Sequence, residues 1–170
     1  AEIISTVNAN RERLYYQRAM RTHAFAVGEY TIGKTTRTPV LGMAYPLLDD
    51  GKVVMLTVTS IELTDLERSA QLALHGQPAR LTIVDRNGNI LLRSSEHQGD
   101  SLIGSNIAQT PLGHRLLHGG QAESCTLPDL DGQPTLVAYA PLGPVHEPYA
   151  YLALSLPVSA VEARYKTQES

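Results

Sequence analysis

The sequence predicts an α+β chain, with a lobe built on a five-stranded antiparallel sheet and flanking helices, preceded by a partial lobe of the same type. Two observations carry this. Pro39, Leu41, Pro46 and Leu47 recur as Pro134, Leu136, Pro141 and Leu142 at a constant offset of 95 residues, and Ile61-Glu62-Leu63 falls on Leu156-Pro157-Val158 at the same offset. A repeat of that length is a domain-sized unit, well beyond the roughly 20–50 residues of a solenoid repeat. The second observation is element order: the later copy reads strand, strand, helical connection, then three strands, which folds as an antiparallel sheet with helices segregated to one side. The earlier copy shows only the last three strands and the helix before them. These readings divide the chain into lobes at 1–76 and 77–170.

Taken in order, residues 10–21 read as a helix, with Asn8 or Asn10 placed to cap it. Strand-like runs follow at Phe25 to Ile32, Val40 to Leu47 and Val53 to Ile61, the last rich in the Val and Thr that a pleated surface prefers. Asp49-Asp50-Gly51 supplies the turn between the second and third. Thr64 fits the N-cap of a helix from Asp65 to His75, with Asp65 and Glu67 in its first turn, where the helix dipole favours acids. Gly76-Gln77-Pro78 ends it.

The second lobe opens on a hairpin. Leu81 to Val84 and Ile90 to Leu92 flank Asn87-Gly88, a dipeptide suited to the two positive-φ positions of a type I′ turn. Residues 101–117 are irregular and end in a short helix from Thr110 to Leu117, closed by Gly119-Gly120. Strands are expected at Glu123 to Leu127, Thr135 to Ala140 and Tyr149 to Leu156, with Asp131-Gly132 turning the first into the second. A final helix runs from Ser159 to Thr167.

Composition bounds the function. The 170 residues are 42% hydrophobic and 18% charged, a globular balance. The net charge of −3 and the scattered Lys and Arg argue against a nucleic-acid partner. The single cysteine, Cys125, excludes an intrachain disulfide and reads as a half-buried strand residue. No run approaches the ~18 apolar residues of a membrane span, and no basic-then-apolar leader opens the chain. The chain is thus expected to be a soluble protein or the soluble part of a larger one.

With the lobes laid out, the sequence resembles the double Cache sensor domains, the tandem PAS-like modules outside the membrane in bacterial histidine kinases, diguanylate cyclases and chemoreceptors. Residues Arg13 to Ala19 followed by Phe25 to Tyr30 are similar to the helix and third strand of the membrane-distal lobe. Pro39 to Leu48, Asp50-Gly51 and Val53 to Leu66 are similar to its fourth and fifth strands and the linker helix. Leu81 to Gly88, with Leu136 to Leu142 and Tyr149 to Val158, look like the membrane-proximal lobe. The resemblance implies a distal lobe truncated at its amino end, since family members carry a long helix and two more strands there. It also implies a parent anchored in the membrane, a homodimer in the full receptor, and a place on the periplasmic face of the bacterial inner membrane.

The resemblance further implies a small-molecule ligand in the distal lobe. Arg13 falls where amino-acid-binding relatives place the arginine that grips a ligand carboxylate, which a planar guanidinium can hold bidentately. Tyr15 falls at an aromatic position beside it, and Tyr30 matches a tyrosine of the third strand. Glu62 stands where relatives often carry an aspartate, and Arg18 and Glu29 complete the candidate set. The acid expected after Tyr30 is absent, the chain reading Thr31-Ile32-Gly33, which favours a simple carboxylate or another small polar molecule over an α-amino acid. Each residue also has a plainer reading. The arginines on a polar helix are solvated or paired with Glu12, the tyrosines pack, and Glu29 is a strand-edge charge.

No catalytic set or cofactor site is legible, so the domain is expected not to be an enzyme and any catalysis belongs to another part of the parent. Of the six histidines, His23, His75, His97, His114, His118 and His146, only His114 and His118 have helical metal-pair spacing, with no third ligand in view. Two rivals remain at this stage: a PAS-type protein-interaction module without a small ligand, and a small metal enzyme or hydrolase.

Overall fold

A computed structural model describes residues 10–94, 101–144 and 146–168. Asn8 and His97 lie outside the described residues. The chain divides into two compact units, Ala1–Ile61 and Glu62–Ser170.

In the first unit, Asp50 and Gly51 both take positive φ, 46° and 73°. This is the two-residue turn whose twist matches that of paired strands. It joins β2 (Pro39–Asp49) to β3 (Lys52–Glu62), and β1 (Ala26–Ile32) pairs with the other edge of β2 to give the order β1-β2-β3. Helix α1 (Leu14–Thr22) covers one face. Its N-cap is Arg13, with no side-chain capping bond. Asn10 serves differently, its Oδ1 accepting from the Tyr15 hydroxyl at 3.2 Å. Tyr15, Ala19, Ala26 and Ala44 form the small core, with Tyr16, Leu56 and Val58 packed against it.

Small residues dominate that core because one ring fills it. A Cβ built on Gly42 would stand 2.7 Å from Tyr15 Cδ1, and one on Gly28 would stand 2.9 Å from the same atom. Two strand glycines thus make the floor on which the Tyr15 ring lies, the close approach for which glycine within a strand is used.

The second unit begins with α2 (Leu63–Ala73), which starts directly where β3 ends. Its N-cap is Glu62, not Thr64, and of the two acids expected in its first turn only Asp65 lies there. Glu67 is instead buried, in a stripe with Leu63 and Ala70. The helix packs against β5 of its own unit. The boundary between units therefore precedes this helix, where the sequence places it after residue 76.

Five strands follow: β4 (Arg80–Asp85), β5 (Ile90–Arg93), β6 (Glu123–Pro128), β7 (Pro134–Leu142) and β8 (Ala150–Pro157). They form one antiparallel sheet in the order β5-β4-β8-β7-β6. Helix α3 (Pro111–His118) has Thr110 as N-cap, its side chain accepting from the Gly113 N–H at 3.1 Å. Helix α4 (Val158–Gln168) leaves directly from the end of β8. The core lies between α3 and the sheet: Ile107, Leu112 and Leu116 meet Val84, Ile90, Val137, Tyr139 and Ala153, with Cys125 and Tyr151 at the margin.

The β4–β5 hairpin forms as expected, but its turn is not type I′. Only Gly88 has positive φ, 82°. The Gly88 N–H donates to the Asp85 carbonyl, while the Asp85 carboxylate accepts from the Asn87 and Asn89 amides at 2.9 Å each. Aspartate at the first position of a type I turn captures the amides ahead of it, and glycine then takes the left-handed position that returns the strand.

The repeat is visible in the elements. β2 and β7 begin at Pro39 and Pro134, and α2 and α4 begin at Leu63 and Val158, each pair at the offset of 95.

Candidate functional site

The residues singled out in the first unit gather along the seam between α1 and β1, with one exception. Arg13, at the N-cap of α1, donates from Nη1 to Thr31 Oγ1 at 2.5 Å and from Nη2 to the Ile32 carbonyl at 3.3 Å. One turn on, Arg18 donates from Nη1 to the Val27 carbonyl at 2.7 Å and from Nη2 to Glu29 Oε1 at 2.9 Å. The Arg18–Glu29 pair is largely buried, its side chains 16% and 11% exposed.

A bulge makes that pair possible. Val27 pairs with Met43 and Tyr30 with Leu41, so two residues of β1, Gly28 and Glu29, stand against one of β2. A bulge re-aims side chains out of strict alternation. Here Gly28 meets the Tyr15 ring and Glu29 reaches Arg18 on the same helix.

The bulge also sets aside Tyr30. Thr31 pairs with Val40, and Val40, Gly42 and Ala44 share the face covered by α1, whereas Tyr30 pairs with Leu41. Because directly opposed residues share a face and neighbours alternate, Tyr30 lies on the sheet face opposite Tyr15. Glu62 belongs to the second unit, as the N-cap of α2. Arg13, Tyr15, Arg18 and Glu29 are therefore the set that one seam brings together.

The two arginines differ in electrostatics. Arg18 is neutralised by Glu29 and acts as a strut between α1 and β1. Arg13 is held only by neutral oxygens, and among the described residues no carboxylate pairs with it. Glu12, its chain neighbour, is turned to Lys34, whose ammonium holds the Glu12 carboxyl below the usual range. Thr31 and the Ile32 carbonyl thus orient a guanidinium that no described carboxylate pairs with, the state of a cation ready for an anion. Burial pushes the Tyr15 phenol above its usual value, with Arg13 opposing the shift. The sequence did not single out Thr31, Gly28 or Gly42. The two glycines inside strand patterns are the signal that could have pointed to the close approach.

In the second unit, the aromatic residues serve packing. Tyr139 is 3% exposed and donates to Glu123 Oε2 at 2.7 Å, a bond that raises its phenol above the ordinary value. The Arg115 guanidinium sits 5.3 Å above its ring. The His114 and His118 rings stack at 4.6 Å, with His118 Nδ1 3.0 Å from the His114 carbonyl oxygen. Among the described residues, no three His, Cys, Asp or Glu side chains gather in a metal-holding group, and no described helix is long and apolar enough to cross a membrane.

No family model matches the chain, and no curated protein sequence matches it either. Solved structures do. The periplasmic sensory domain of the Campylobacter jejuni chemoreceptor Tlp1 superposes with a TM-score of 0.64 at 12% identity, over 86% of this chain and 55% of its own. The ligand-binding domain of the Pseudomonas fluorescens chemoreceptor CtaA, in complex with L-isoleucine, gives 0.62 at 16% identity, over 91% and 60%. The ligand-binding domain of Mlp24 with asparagine gives 0.60 at 20% identity, over 96% and 63%. The chain thus spans between 55% and 63% of the length of these structures. Its α+β fold, a five-stranded antiparallel sheet with flanking helices, is the fold of such sensory domains.

Proposed function

We propose that this chain is an extracytoplasmic ligand-sensing domain of a bacterial signalling receptor, composed of two Cache-type lobes, and that its first unit binds a small carboxylate at Arg13. The observation that carries the reading is the state of Arg13, a guanidinium oriented by Thr31 and the Ile32 carbonyl with no acid among the described residues paired to it. A carboxylate ligand would supply the missing charge through charge-assisted hydrogen bonds. The solved structures with this fold are sensory domains, and two of those described hold amino acids. Arg18 and Glu29 keep α1 fixed on β1 beside the ligand, while Tyr15 sets the depth of the seam. Tyr30 stands on the other face of the sheet from that seam, and Glu62 belongs to the second unit.

In this reading the domain itself is not catalytic. It lies on the periplasmic side of the inner membrane in a membrane-anchored, homodimeric parent, a chemoreceptor, histidine kinase or diguanylate cyclase. Ligand binding shifts the population between two arrangements, and α4 carries the difference to the output domain. A ligand can do so only by binding one arrangement better than the other.

The test is a thermal-shift screen of small carboxylates, amino acids and amines on the purified chain, with Arg13→Ala and Arg13→Lys beside it. A rise in melting temperature for carboxylates, reduced in Arg13→Ala and reduced less in Arg13→Lys, is expected. A second reading, a protein-interaction module, draws on the face of the first sheet opposite α1, where Tyr45 and Leu47 are exposed beside Leu41 and Met43. Absence of any carboxylate shift would favour it, and a shift unchanged in Arg13→Ala would overturn the Arg13 site.

A further inference from the structure

The second unit holds a cleft of about 390 Å³ that the Arg13 seam does not involve. It lies where α4 leaves the sheet, between the start of β4 (Arg80), the β6–β7 turn (Asp131, Gln133), the Thr135–Pro157 strand pair and the first turns of α4 (Ser159, Glu162). We propose that this cleft is a second ligand site, one that takes a small organic carboxylate on the free edge of the Arg80 guanidinium.

Three observations carry it. First, among the described residues Arg80 is held by one nitrogen only. Its Nη1 donates to Asp129 Oδ2 and to Asp131 Oδ2, each at 3.0 Å. That leaves Nε and Nη2, the two parallel donors of the fork that binds a carboxylate side-on. Second, the arginine is fixed before any ligand arrives. Asp129, its side chain 1% exposed, also accepts from Arg93 Nη2 at 2.9 Å, and Arg93 in turn donates to Thr82 at 2.8 Å. Asp131 is fixed by the Gln133 N–H at 3.0 Å. Gln133 and Arg80 together hold the Asp131 carboxyl below its usual range. Preorganised donors of this kind reduce the ordering cost of binding. Third, the Ser155 hydroxyl is buried, 1% exposed, and has no hydrogen-bond partner among the described residues. Ser155 is the cross-strand partner of Arg80 and stands two residues before Pro157 on the same sheet face, so it lies next to two lining residues. A buried hydroxyl left unmade is costly unless something supplies a bond, and a ligand oxygen can.

The chemistry selects a small molecule with one carboxylate for the Arg80 fork and a short polar substituent within reach of Ser155 or the Gln133 amide. A 2-hydroxy acid and an α-amino acid both have it. They differ in the ammonium, which Asp131 and Glu162 would favour. Because Ser159 and Glu162 are on α4, an occupant would touch the root of that helix.

The experiment is a titration of the whole ¹⁵N-labelled chain with L-lactate and, separately, L-alanine, read at the Arg80 Nε–H and at the Gln133 and Ser159 amides. Saturable shifts at these groups with at least one probe are expected. Arg80→Lys, which keeps the charge and loses the fork, should weaken binding by about tenfold or more. Ser155→Ala should weaken it without lowering thermal stability, a combination that a merely structural serine would not give. Arg13→Ala should leave these shifts intact, which separates this site from the one in the first unit. Absence of saturable shifts at all three groups, or shifts equal in wild type, Arg80→Lys and Ser155→Ala, would overturn the proposal.

Discussion

Replacing Gly42 by alanine tests the packing of the first unit, because its sign depends on one contact. Gly42 has no positive φ, so alanine there costs the backbone nothing and should stabilise by about 0.4–1 kcal/mol through the unfolded chain. Against this stands the Tyr15 ring. The new methyl would collide with Cε1 and lie 2.7 Å from Cδ1 and 2.9 Å from Cζ, so the ring must retreat by well over the 0.7 Å that separates Cδ1 alone from ordinary contact at 3.4 Å. The ring is 8% exposed, and its hydroxyl is tied to Asn10. Overpacking of this kind costs ~1–3 kcal/mol, so the net expectation is a loss of about 1–2 kcal/mol once the gain is subtracted. Native-state hydrogen exchange at the paired β1 and β2 amides reads the first unit by itself. In a Tyr15→Leu background, where the ring is gone, Gly42→Ala should turn neutral or stabilising, and the difference between the two backgrounds is the coupling energy. The same change in stability in both backgrounds would refute the account of Tyr15 lying on a glycine floor.

Two further outcomes follow from charge. Glu29→Gln removes the Glu29 charge from the part-buried Arg18 guanidinium. It should destabilise the first unit by about 2 kcal/mol, below the ~3–5 kcal/mol of a fully buried pair because some solvent reaches this one; exchange at the β1 amides measures it. Asp131 has its carboxyl held below the usual 3.8 by the Gln133 N–H and Arg80. A depressed carboxyl stabilises fully above its unfolded value and loses that contribution as pH falls through the folded one. Asp131→Asn should therefore lower the melting temperature at neutral pH and leave it unchanged near pH 2, and a constant difference across that range in a pH series of melts would contradict the role given to Asp131.

Much of the fold could be read from residue types because the repeat marks it. The proline that opens β2 and the one that opens β7 stand at equivalent points, and each copy passes from strand to helix without a loop. What the sequence hides is local competition. Thr64 has a capping side chain, but β3 continues to Glu62 and Leu63 must enter the core at once, 0% exposed, so the helix starts earlier than its best cap. Asn87-Gly88 carries the type I′ signature, yet the upstream Asp85 carboxylate takes the turn amides and decides the turn type. The same holds at the candidate site. Arg13, Arg18 and Glu29 are legible as charged groups at suitable spacing, but which arginine is neutralised depends on the bulge at Gly28 and Glu29. That bulge brings Glu29 to Arg18 and turns Tyr30 to the far face, and only the register of β1 against β2 reveals it.

The strand order of the second unit has a mechanical consequence. Its first and last strands, β4 and β8, are antiparallel neighbours at the centre of the sheet, with Arg80 opposite Ser155. The segment that follows α2 therefore enters beside the point where α4 departs. A tension that draws these two points apart loads the β4–β8 ladder one hydrogen-bonded pair at a time, beginning at Arg80 and Ser155, rather than shearing all its rungs together. The joint between the incoming and outgoing segments is thus a zip that opens from one end, and the Asp129–Arg80–Asp131 clasp sits at its first tooth.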